Sequence, residues 1–360
     1  MSMLSLHGDL GGQTVATAAA RQLEGLWKGV HGDDCPLEMR SLLSSVVMPW
    51  GARPLSRTSI WPSDIGSDHS PFEFSVALTP DVPEIRMVVE AQGKASTFRA
   101  TRAACLKLNE SLATEGADTR SMDEVRDLFL PDVLHARFAL WHGITLRPGR
   151  VRAKVYLNPQ IHGAARAEAL VETALERLGL ANAWSTVVSA LPRRQLRGEE
   201  IKYFALDLEP RDTARAKVYL YLDNVTAQDL ERLAAIRPKY EPGEVTEFLQ
   251  TITGSKGPYF THPPCVYAGF TGSSSTPSDV TVQIPIGHYV SDDRIARDRI
   301  CGYLRSRGVA TGTYERAVGA LAQRPLESGT GLHTYVSLRT GINPARVTTY
   351  FAAALYSSKA

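Results

Sequence analysis

The sequence predicts an α+β fold in which ten antiparallel strands, paired as five β-hairpins, close into a barrel with a ring of helices outside. Three observations predict it: an exact repeat with strand periodicity, strand pairs that begin roughly 60–70 residues apart, and one-sided helical segments between those pairs. Helices of that kind cover apolar surfaces, so the polar face of the strands would point into an enclosed lumen.

An exact repeat of six residues is the clearest internal feature of the chain. The hexapeptide Arg-Ala-Lys-Val-Tyr-Leu occupies 152–157 and recurs at 215–220. In both copies polar and apolar residues alternate, which is the periodicity of a strand with Arg, Lys and Tyr on one face and Ala, Val and Leu on the other. Each copy follows another strand-like run across a short turn and is predicted to be half of a β-hairpin.

Three more strand pairs show the same pattern, and helical segments fill the gaps. The predicted hairpins are 72–78 with 84–90, 137–145 with 152–157, 201–208 with 215–220, 264–271 with 280–286, and 333–340 with 346–353. Helices are predicted at 164–178, 226–236 and 291–307, where apolar residues follow one face and the ends carry capping signals. The alternative is an open antiparallel sheet with a solvated polar face, which periodicity alone does not exclude.

Composition and charge describe an ordinary globular protein. Of the 360 residues, 43% are hydrophobic, and 40 Lys and Arg nearly balance 38 Asp and Glu, which argues against a nucleic-acid binder. The four cysteines form no C-x-x-C pair, no segment approaches the length of a membrane-spanning apolar run, and we expect no export signal. We expect a soluble cytoplasmic protein with one barrel domain at 1–360, in which 1–50 form a helical segment packed on the barrel.

The polar face suggests what the lumen binds. Its four cations, Arg86, Lys154, Arg215 and Lys217, would offset the charge of a diphosphate, and its aromatic rings would stabilise an allylic cation. The predicted lining comprises Glu73, Ser75, Arg86, Trp141, Lys154, Tyr156, Arg215, Lys217, Tyr219, Tyr221, Tyr267, Thr281, Gln283, His333, Tyr335, Thr348 and Tyr350. An alternative for Glu73 is a salt bridge with Arg86.

No aspartate-rich run suited to magnesium is evident. Asp33 and Asp34 lie in a Gly-Asp-Asp-Cys turn, and Asp292 and Asp293 are better explained as the acidic first turn of a helix. We therefore expect the side-chain cations to replace a metal ion, with no cofactor, and the diphosphate to be a substrate.

Several stretches resemble a known family in both order and spacing. They are 70–75 (Ser-Pro-Phe-Glu-Phe-Ser), 154–159 (Lys-Val-Tyr-Leu-Asn-Pro), 215–219 (Arg-Ala-Lys-Val-Tyr), 284–289 (Ile-Pro-Ile-Gly-His-Tyr), 335–337 (Tyr-Val-Ser) and 349–350 (Thr-Tyr). Together they make the chain similar, from about residue 55 to residue 350, to the dimethylallyltryptophan synthase family, the indole prenyltransferases of the ABBA barrel fold, and to its bacterial branch in particular.

The resemblance implies a role for each residue of the lining. Glu73 would accept the indole N–H, while the diphosphate would lie on Arg86, Lys154, Arg215, Lys217 and Gln283. A shield around the allyl cation would be formed by Tyr156, Tyr219, Tyr335 and Tyr350, and the acceptor pocket by Trp141 and Tyr267.

One departure from the family concerns the base. Members that alkylate indole C4 carry a lysine about thirteen residues before the first Lys-x-Tyr, and this chain has Trp141 and His142 there. The departure argues against C4 attack with a lysine base and leaves two alternatives: another base, His142 or a water, or attack at N1 or at another benzenoid carbon.

The implied reaction transfers a dimethylallyl group from dimethylallyl diphosphate to the indole of tryptophan or a tryptophan-derived metabolite, releasing diphosphate without a metal. Prenylation of a phenol such as tyrosine or a polyketide, a longer donor such as geranyl diphosphate, and non-catalytic binding of anionic or lipid ligands are the alternatives. The expected partners are small molecules, with no nucleic acid or membrane, and the chain is expected to be a monomer or homodimer.

Overall fold

The computed structural model describes residues 12–78, 82–133, 135–149, 151–192, 196–341 and 346–357. Within these ranges, ten antiparallel strands form one closed barrel in which each strand pairs with its neighbours in sequence and β1 pairs with β10. The strands are β1 (Phe72–Leu78), β2 (Glu84–Val89), β3 (Leu140–Leu146), β4 (Arg152–Leu157), β5 (Ile201–Asp207), β6 (Arg215–Tyr221), β7 (Cys265–Thr271), β8 (Asp279–Ile284), β9 (His333–Arg339) and β10 (Arg346–Ala352).

All five predicted hairpins are confirmed, and the open-sheet alternative is wrong. The first and last strands pair from Glu73 opposite Ala352 to Leu78 opposite Val347, so no edge is left free. The largest boundary difference is at β3, which begins at Leu140 rather than at residue 137.

Helices cover the outside of the barrel. They are α1 (Val15–His31), α2 (Leu37–Gly51), α3 (Phe98–Thr114), α4 (Arg120–Asp123), α5 (Arg126–Phe129), α6 (Ala167–Arg177), α7 (Ala183–Ala190), α8 (Ala227–Ala234), α9 (Glu244–Thr253), α10 (Asp293–Ser306) and α11 (Gly312–Leu321). The three predicted helices correspond to α6, preceded by a 3₁₀ turn at Ala164–Arg166, and to α8 and α10. Thr226 and Asp292 cap α8 and α10 by accepting a backbone N–H with their side chains.

The core lies between the barrel and its helices. In the two copies of the repeat, the outward side chains Val155, Leu157, Val218 and Leu220 are all buried in it. The strands thus turn their apolar face outward to the helices and their polar face inward, as predicted. None of the helices in the described ranges is both long and apolar enough to cross a membrane.

The N-terminal helices belong to the helical layer. α1 packs against α2 and α11, and Arg316 Nε on α11 donates to the carbonyl of Gly29 on α1 at 2.7 Å. A Cβ on Gly29 would lie 3.0 Å from the carbonyl oxygen of Arg316, so glycine permits this close approach. Residues 1–11 of the predicted segment 1–50 lie outside the described residues, and the single-domain boundary 1–360 stays a prediction.

An irregularity in the pairing of β9 and β10 corrects one expectation. Thr349 pairs with Val336 but Phe351 pairs with His333, so β9 carries one extra residue there. The extra residue breaks the alternation of faces, and His333 points outward, where it contacts Tyr314 Oη at 2.8 Å. The expectation that His333 lines the lumen is therefore wrong.

Candidate active site

The barrel encloses a central cavity of about 910 Å³ to which every strand contributes. Apart from His333, all residues of the predicted polar face line it. These are Glu73, Ser75, Arg86, Trp141, Lys154, Tyr156, Arg215, Lys217, Tyr219, Tyr221, Tyr267, Thr281, Gln283, Tyr335, Thr348 and Tyr350.

The registers of the strands sort the lining along the barrel axis. Charged residues lie where the hairpins turn, and we call Arg86, Lys154, Arg215, Lys217, Arg339 and Arg346 the cationic end. Aromatic residues follow, and we call Tyr156, Tyr219, Tyr267 and Tyr350 the tyrosine belt. At the opposite side of the belt is the acceptor end, defined by Glu73, Trp141, Tyr203, Tyr221 and Tyr335.

Three carboxylates that sequence reasoning missed hold the cations in place. Asp207 accepts from Arg215 Nε at 2.6 Å and from Lys217 Nζ at 2.9 Å. Burial would raise the pKa of Asp207, but the charges of Lys217 and Arg215 outweigh it and hold that pKa below its usual range. Asp279 faces Arg215 at 3.6 Å and Arg339 at 3.5 Å.

Glu84 is the third carboxylate. It accepts from Arg86 at 2.5 Å and from Arg346 at 2.6 Å, which fixes both guanidinium groups toward the lumen. The six cations of the cationic end therefore face three carboxylates and keep an excess of positive charge. The predicted lining did not include Arg339 and Arg346. Alternate residues of a strand share a face, so Arg339 lies on the same face as Tyr335 and Arg346 on the same face as Tyr350.

Lys154 differs from its neighbours because, among the described residues, it has no carboxylate within ion-pair distance. Its Nζ lies 4.7 Å from the ring centre of Tyr156. The side chain is enclosed by the barrel although part of its surface faces the lumen. Burial, together with the positive charges of Lys217 and Arg86, lowers the pKa of Lys154 well below its ordinary value.

Each lysine lies across a glycine of the adjacent strand. Gly143 is opposite Lys154, and a Cβ there would be 2.6 Å from Lys154 Cε. Gly269 is opposite Lys217, and a Cβ there would be 2.6 Å from Asp279 Oδ1 and 3.4 Å from Lys217 Cγ. The missing side chain at Gly143 therefore leaves room for the Lys154 stem, and the missing side chain at Gly269 leaves room mainly for the Asp279 carboxylate.

Ring contacts join three members of the tyrosine belt to one another. Tyr156 and Tyr219 have ring centres 5.6 Å apart, and Tyr219 stacks on Tyr267 at 4.2 Å. Tyr335 of the acceptor end meets Tyr350 edge-on at 6.3 Å. Ring faces directed at an enclosed space of this kind attract cations.

Glu73 lies at the acceptor end, nearly fully buried. Its Oε2 accepts from Thr334 Oγ1 at 2.5 Å, and burial raises its pKa to about 8. The salt bridge between Glu73 and Arg86 is not found, because Arg86 pairs with Glu84 instead. Apart from the Thr334 hydroxyl, the Glu73 carboxyl has no ion-pair partner among the described residues, and it is therefore available to a donor that enters the lumen.

His142 is not part of the lumen, which corrects its prediction as a catalytic residue. It is adjacent to Trp141 on β3, and neighbouring residues of a strand point to opposite faces. The imidazole is fully buried on the outer side, and neither ring nitrogen has a hydrogen-bond partner among the described residues; burial lowers its pKa to about 3.

Trp141 forms the wall of the acceptor end. Its ring stacks on Phe138 at 4.3 Å and lies 5.2 Å from that of Tyr203. At the same end, Arg137 Nε donates to Asp64 at 2.7 Å. Lys202 also lines this part of the cavity, so both signs of charge are present at its rim.

A search of the described residues finds no group of three or more His, Cys, Asp or Glu side chains arranged to hold a metal ion. Asp292 caps α10, and Asp293 accepts from the backbone and ring of His333 at 3.0 and 2.9 Å. Both aspartates thus have structural partners at the start of a helix.

A closed ten-stranded antiparallel barrel with a cationic, tyrosine-lined lumen defines a barrel prenyltransferase. The sequence profile of the tryptophan dimethylallyltransferase family matches residues 38–317. The chain belongs to this family and is a prenyltransferase.

Solved structures of bacterial enzymes resemble the whole chain. A 6-dimethylallyltryptophan synthase from Micromonospora olivasterospora in complex with DMASPP and Trp is 33% identical, with 97% of this chain and 99% of that chain covered and a TM-score of 0.89. A 5-dimethylallyl tryptophan synthase from Streptomyces coelicolor, also with DMASPP and Trp, is 32% identical over 97% and 98%, with a TM-score of 0.85. The prenyltransferase PriB, in a ternary complex with L-tryptophan and dimethylallyl thiolodiphosphate, is 30% identical over 96% and 97%, with a TM-score of 0.85.

Proposed function

We propose that this enzyme transfers the dimethylallyl group of dimethylallyl diphosphate to the indole ring of free tryptophan and releases diphosphate. The observation that supports this most is the order of groups along one lumen. Cations come first, then tyrosines, and then the buried carboxyl of Glu73, which has no ion-pair partner among the described residues. Enzymes of similar structure bind tryptophan together with a dimethylallyl diphosphate analogue, which supports the same pair of substrates here.

The donor's diphosphate is placed on the cationic end. Arg86, Lys154, Arg215, Lys217 and Gln283 are its proposed ligands, and Arg339 and Arg346 add charge beside them. When the bond between carbon and oxygen breaks, its electron pair goes to the diphosphate, whose developing charge is already matched. We propose that these cations act in place of magnesium.

The dimethylallyl cation is then held in the tyrosine belt. Tyr156, Tyr219 and Tyr350, with Tyr335 beside them, present ring faces to the cation and exclude water that would trap it as an alcohol. Each ring contributes on the order of 0.5–2 kcal/mol to such an interaction.

The acceptor indole is placed against Trp141 and Tyr267, with its N–H donated to Glu73. A carboxylate in this position raises the electron density of the ring that attacks. At the rim, Asp64 suits the ammonium of an amino acid, and Arg137 and Lys202 suit its carboxylate. These charges favour free tryptophan over a cyclic dipeptide, which lacks both groups.

The new bond joins the dimethylallyl carbon to a benzenoid carbon of the indole, and that carbon then loses its proton. The lysine base of C4-alkylating members is replaced by Trp141, and His142 faces away from the lumen. Of the two bases expected from the sequence, a water in the lumen remains, and we propose it takes the proton.

The test is replacement of Glu73 by Gln, with Glu172→Gln on the exposed side of α6 as the matched control. Glu73→Gln should lower turnover of tryptophan by roughly a hundredfold while the binding of dimethylallyl thiolodiphosphate stays within about twofold. Unchanged turnover in Glu73→Gln would show that Glu73 has no role in the reaction. If the wild-type enzyme converted tyrosine but not tryptophan, the acceptor would be a phenol and not an indole.

Two further measurements belong to this test. Because the pKa of Glu73 is raised to about 8, kcat/KM for tryptophan should increase with pH through that value, and Glu73→Gln should lose the increase. Activity should persist in excess EDTA, and strict dependence on added magnesium would contradict the metal-free diphosphate site.

A further inference from the structure

The wall of the acceptor end is held by a carboxyl group with no assigned role. Trp141 Nε1 donates to Glu90 Oε1 at 3.1 Å, and both side chains are about 95% buried. Glu90 follows β2 directly and continues its inward-facing positions after Arg86 and Val88. The Glu90 carboxyl also bonds to Ser63 and does not itself line the cavity.

The contacts of Trp141 divide into two kinds. Stacking on Phe138, with an interplanar angle of 28°, and the contact with Tyr203 fix the plane of the indole. Neither contact fixes rotation within that plane. The hydrogen bond to Glu90 does so, because it ties one edge of the ring to a side-chain carboxyl at the end of β2.

An acceptor anchored only at its N–H can pivot about that point. Glu73 and Trp141 are on β1 and β3 and flank β2 on the inner face of the barrel, so the Trp141 ring lies beside an indole bonded to Glu73. Reaction requires a carbon within roughly 3–3.5 Å of the cation. A small pivot of the acceptor therefore changes which benzenoid carbon is alkylated.

We propose that Glu90 is a positioning residue that sets the alkylated carbon by fixing the orientation of Trp141. This rests on the proposed function, since it concerns the regiochemistry of that reaction. Glu90 acts without touching either substrate. Burial raises its pKa to about 7, in keeping with a carboxyl that is enclosed between neutral donors.

The experiment compares five proteins: wild type, Glu90→Leu, Glu90→Gln, Trp141→Phe and the double variant Glu90→Leu with Trp141→Phe. Leu cannot accept the indole N–H, Gln keeps an accepting oxygen, and Phe keeps a ring but has no N–H to donate. Each is supplied with tryptophan and dimethylallyl diphosphate, the products are assigned by NMR, and binding of dimethylallyl thiolodiphosphate is measured separately. Thermal unfolding and near-UV circular dichroism establish that each variant is folded.

Glu90→Leu and Trp141→Phe should each produce a second regioisomer and raise KM for tryptophan by about tenfold, with donor binding within about twofold. Glu90→Gln should keep the wild-type product. The double variant should be no worse than the worse single variant, because the two changes remove one interaction.

Two results would overturn the inference. One is an unchanged product distribution in folded, active Glu90→Leu. The other is a change in Glu90→Leu that Trp141→Phe does not reproduce, since Glu90 would then act by another route. Failure of the wild-type enzyme to prenylate tryptophan would instead overturn the proposed function, and the inference with it.

Discussion

The two copies of the repeated hexapeptide have the same sequence and different surroundings. In the second copy, on β6, Arg215 and Lys217 share Asp207 as an ion-pair partner. In the first copy, on β4, Arg152 is exposed and Lys154 has no carboxylate partner among the described residues. Asp207 is opposite Lys154 in the β4–β5 register, yet its oxygens are bonded to the cations of β6.

The difference separates two ways of placing a cation in a lumen. Lys217 is held by its counter-ion before any ligand arrives, so its position is already set. Lys154 is held in place by packing against Gly143 and Tyr156. Its positive charge gains a counter-charge only when an anion enters the lumen. For the proposed diphosphate site, the first arrangement provides geometry and the second provides attraction.

The largest expected effect comes from removing the shared counter-ion. Asp207→Asn should lower the free energy of unfolding at neutral pH by roughly 3 kcal/mol, because buried Lys217 and half-buried Arg215 lose their shared carboxylate. Urea titration measures this, with Asp132→Asn at an exposed ion pair as the control, expected to change it by less than about 1 kcal/mol.

Because the pKa of Asp207 is held below its usual range, this stabilisation is present above about pH 4 and is lost as the pH falls through the folded-state pKa. The difference between wild type and Asp207→Asn should therefore shrink in acid. An equal difference at all pH values would show that the carboxylate charge is not what stabilises β6.

The next largest effect contrasts the two arginines of the repeat. Arg215→Met should lower kcat/KM for dimethylallyl diphosphate by about a hundredfold, since a charged donor of the proposed diphosphate site is lost. Arg152→Met, at an exposed position on the rim of the same cavity, should change it by less than about threefold. Steady-state kinetics with tryptophan at saturation measures both, and equal losses would mean that the copies contribute alike.

Replacing the two lysines should change stability in opposite directions. Lys154→Met removes an unpartnered enclosed amine and should raise the free energy of unfolding of the ligand-free protein by about 1 kcal/mol, whereas Lys217→Met deprives Asp207 of a partner and should lower it by about 1–2 kcal/mol. Urea titrations at neutral pH measure both. Changes of the same sign would contradict the comparison.

The pH dependence of wild type provides a second check on Lys154. Its lowered pKa means that the folded protein binds fewer protons than the unfolded chain between the folded-state pKa and about pH 10.4. Stability should therefore rise with pH in that interval, and the slope should be smaller in Lys154→Met.

The smallest expected effect is the number of protons that the enzyme takes up when the donor analogue binds. An anion beside Lys154 favours its charged form, so binding of dimethylallyl thiolodiphosphate should be accompanied by net proton uptake. Calorimetry at pH 8 in buffers of different ionisation enthalpy measures the uptake. Lys154→Arg is the matched variant, because arginine stays protonated, and it should show less uptake with the donor still bound.

Strand periodicity explains how much of the barrel could be predicted. The Arg-x-Lys-x-Tyr pattern assigns a face to every residue of β4 and β6. The same alternation of inward and outward residues on β1, β9 and β10 places Glu73, Tyr335 and Tyr350 in the lumen. Both wrong predictions, His142 and His333, concern which face of its strand a residue occupies. His142 was chosen for its closeness in sequence to Trp141, although adjacent strand residues face opposite ways, and no local signal announces the extra residue that turns His333 outward.

The ion pairs of the cationic end could not be predicted in the same way. Asp207 occupies an inward position of β5, so the alternation could have placed it in the lumen, although the predicted lining did not include it. Its choice of Lys217 over Lys154 depends on where three strands place their side chains, and each strand sequence is compatible with either pairing. Such choices belong to tertiary packing rather than to pattern.

Closure of the barrel by β1 and β10 has a consequence for how the protein is made. The two strands that meet there are separated by most of the chain, so the growing polypeptide cannot complete its lumen until β10 has been synthesised. Contacts between such distant segments slow folding. Until then the edges of β1 and of the latest strand stay available to other chains, and chaperone demand during synthesis should be highest just before the final hairpin emerges.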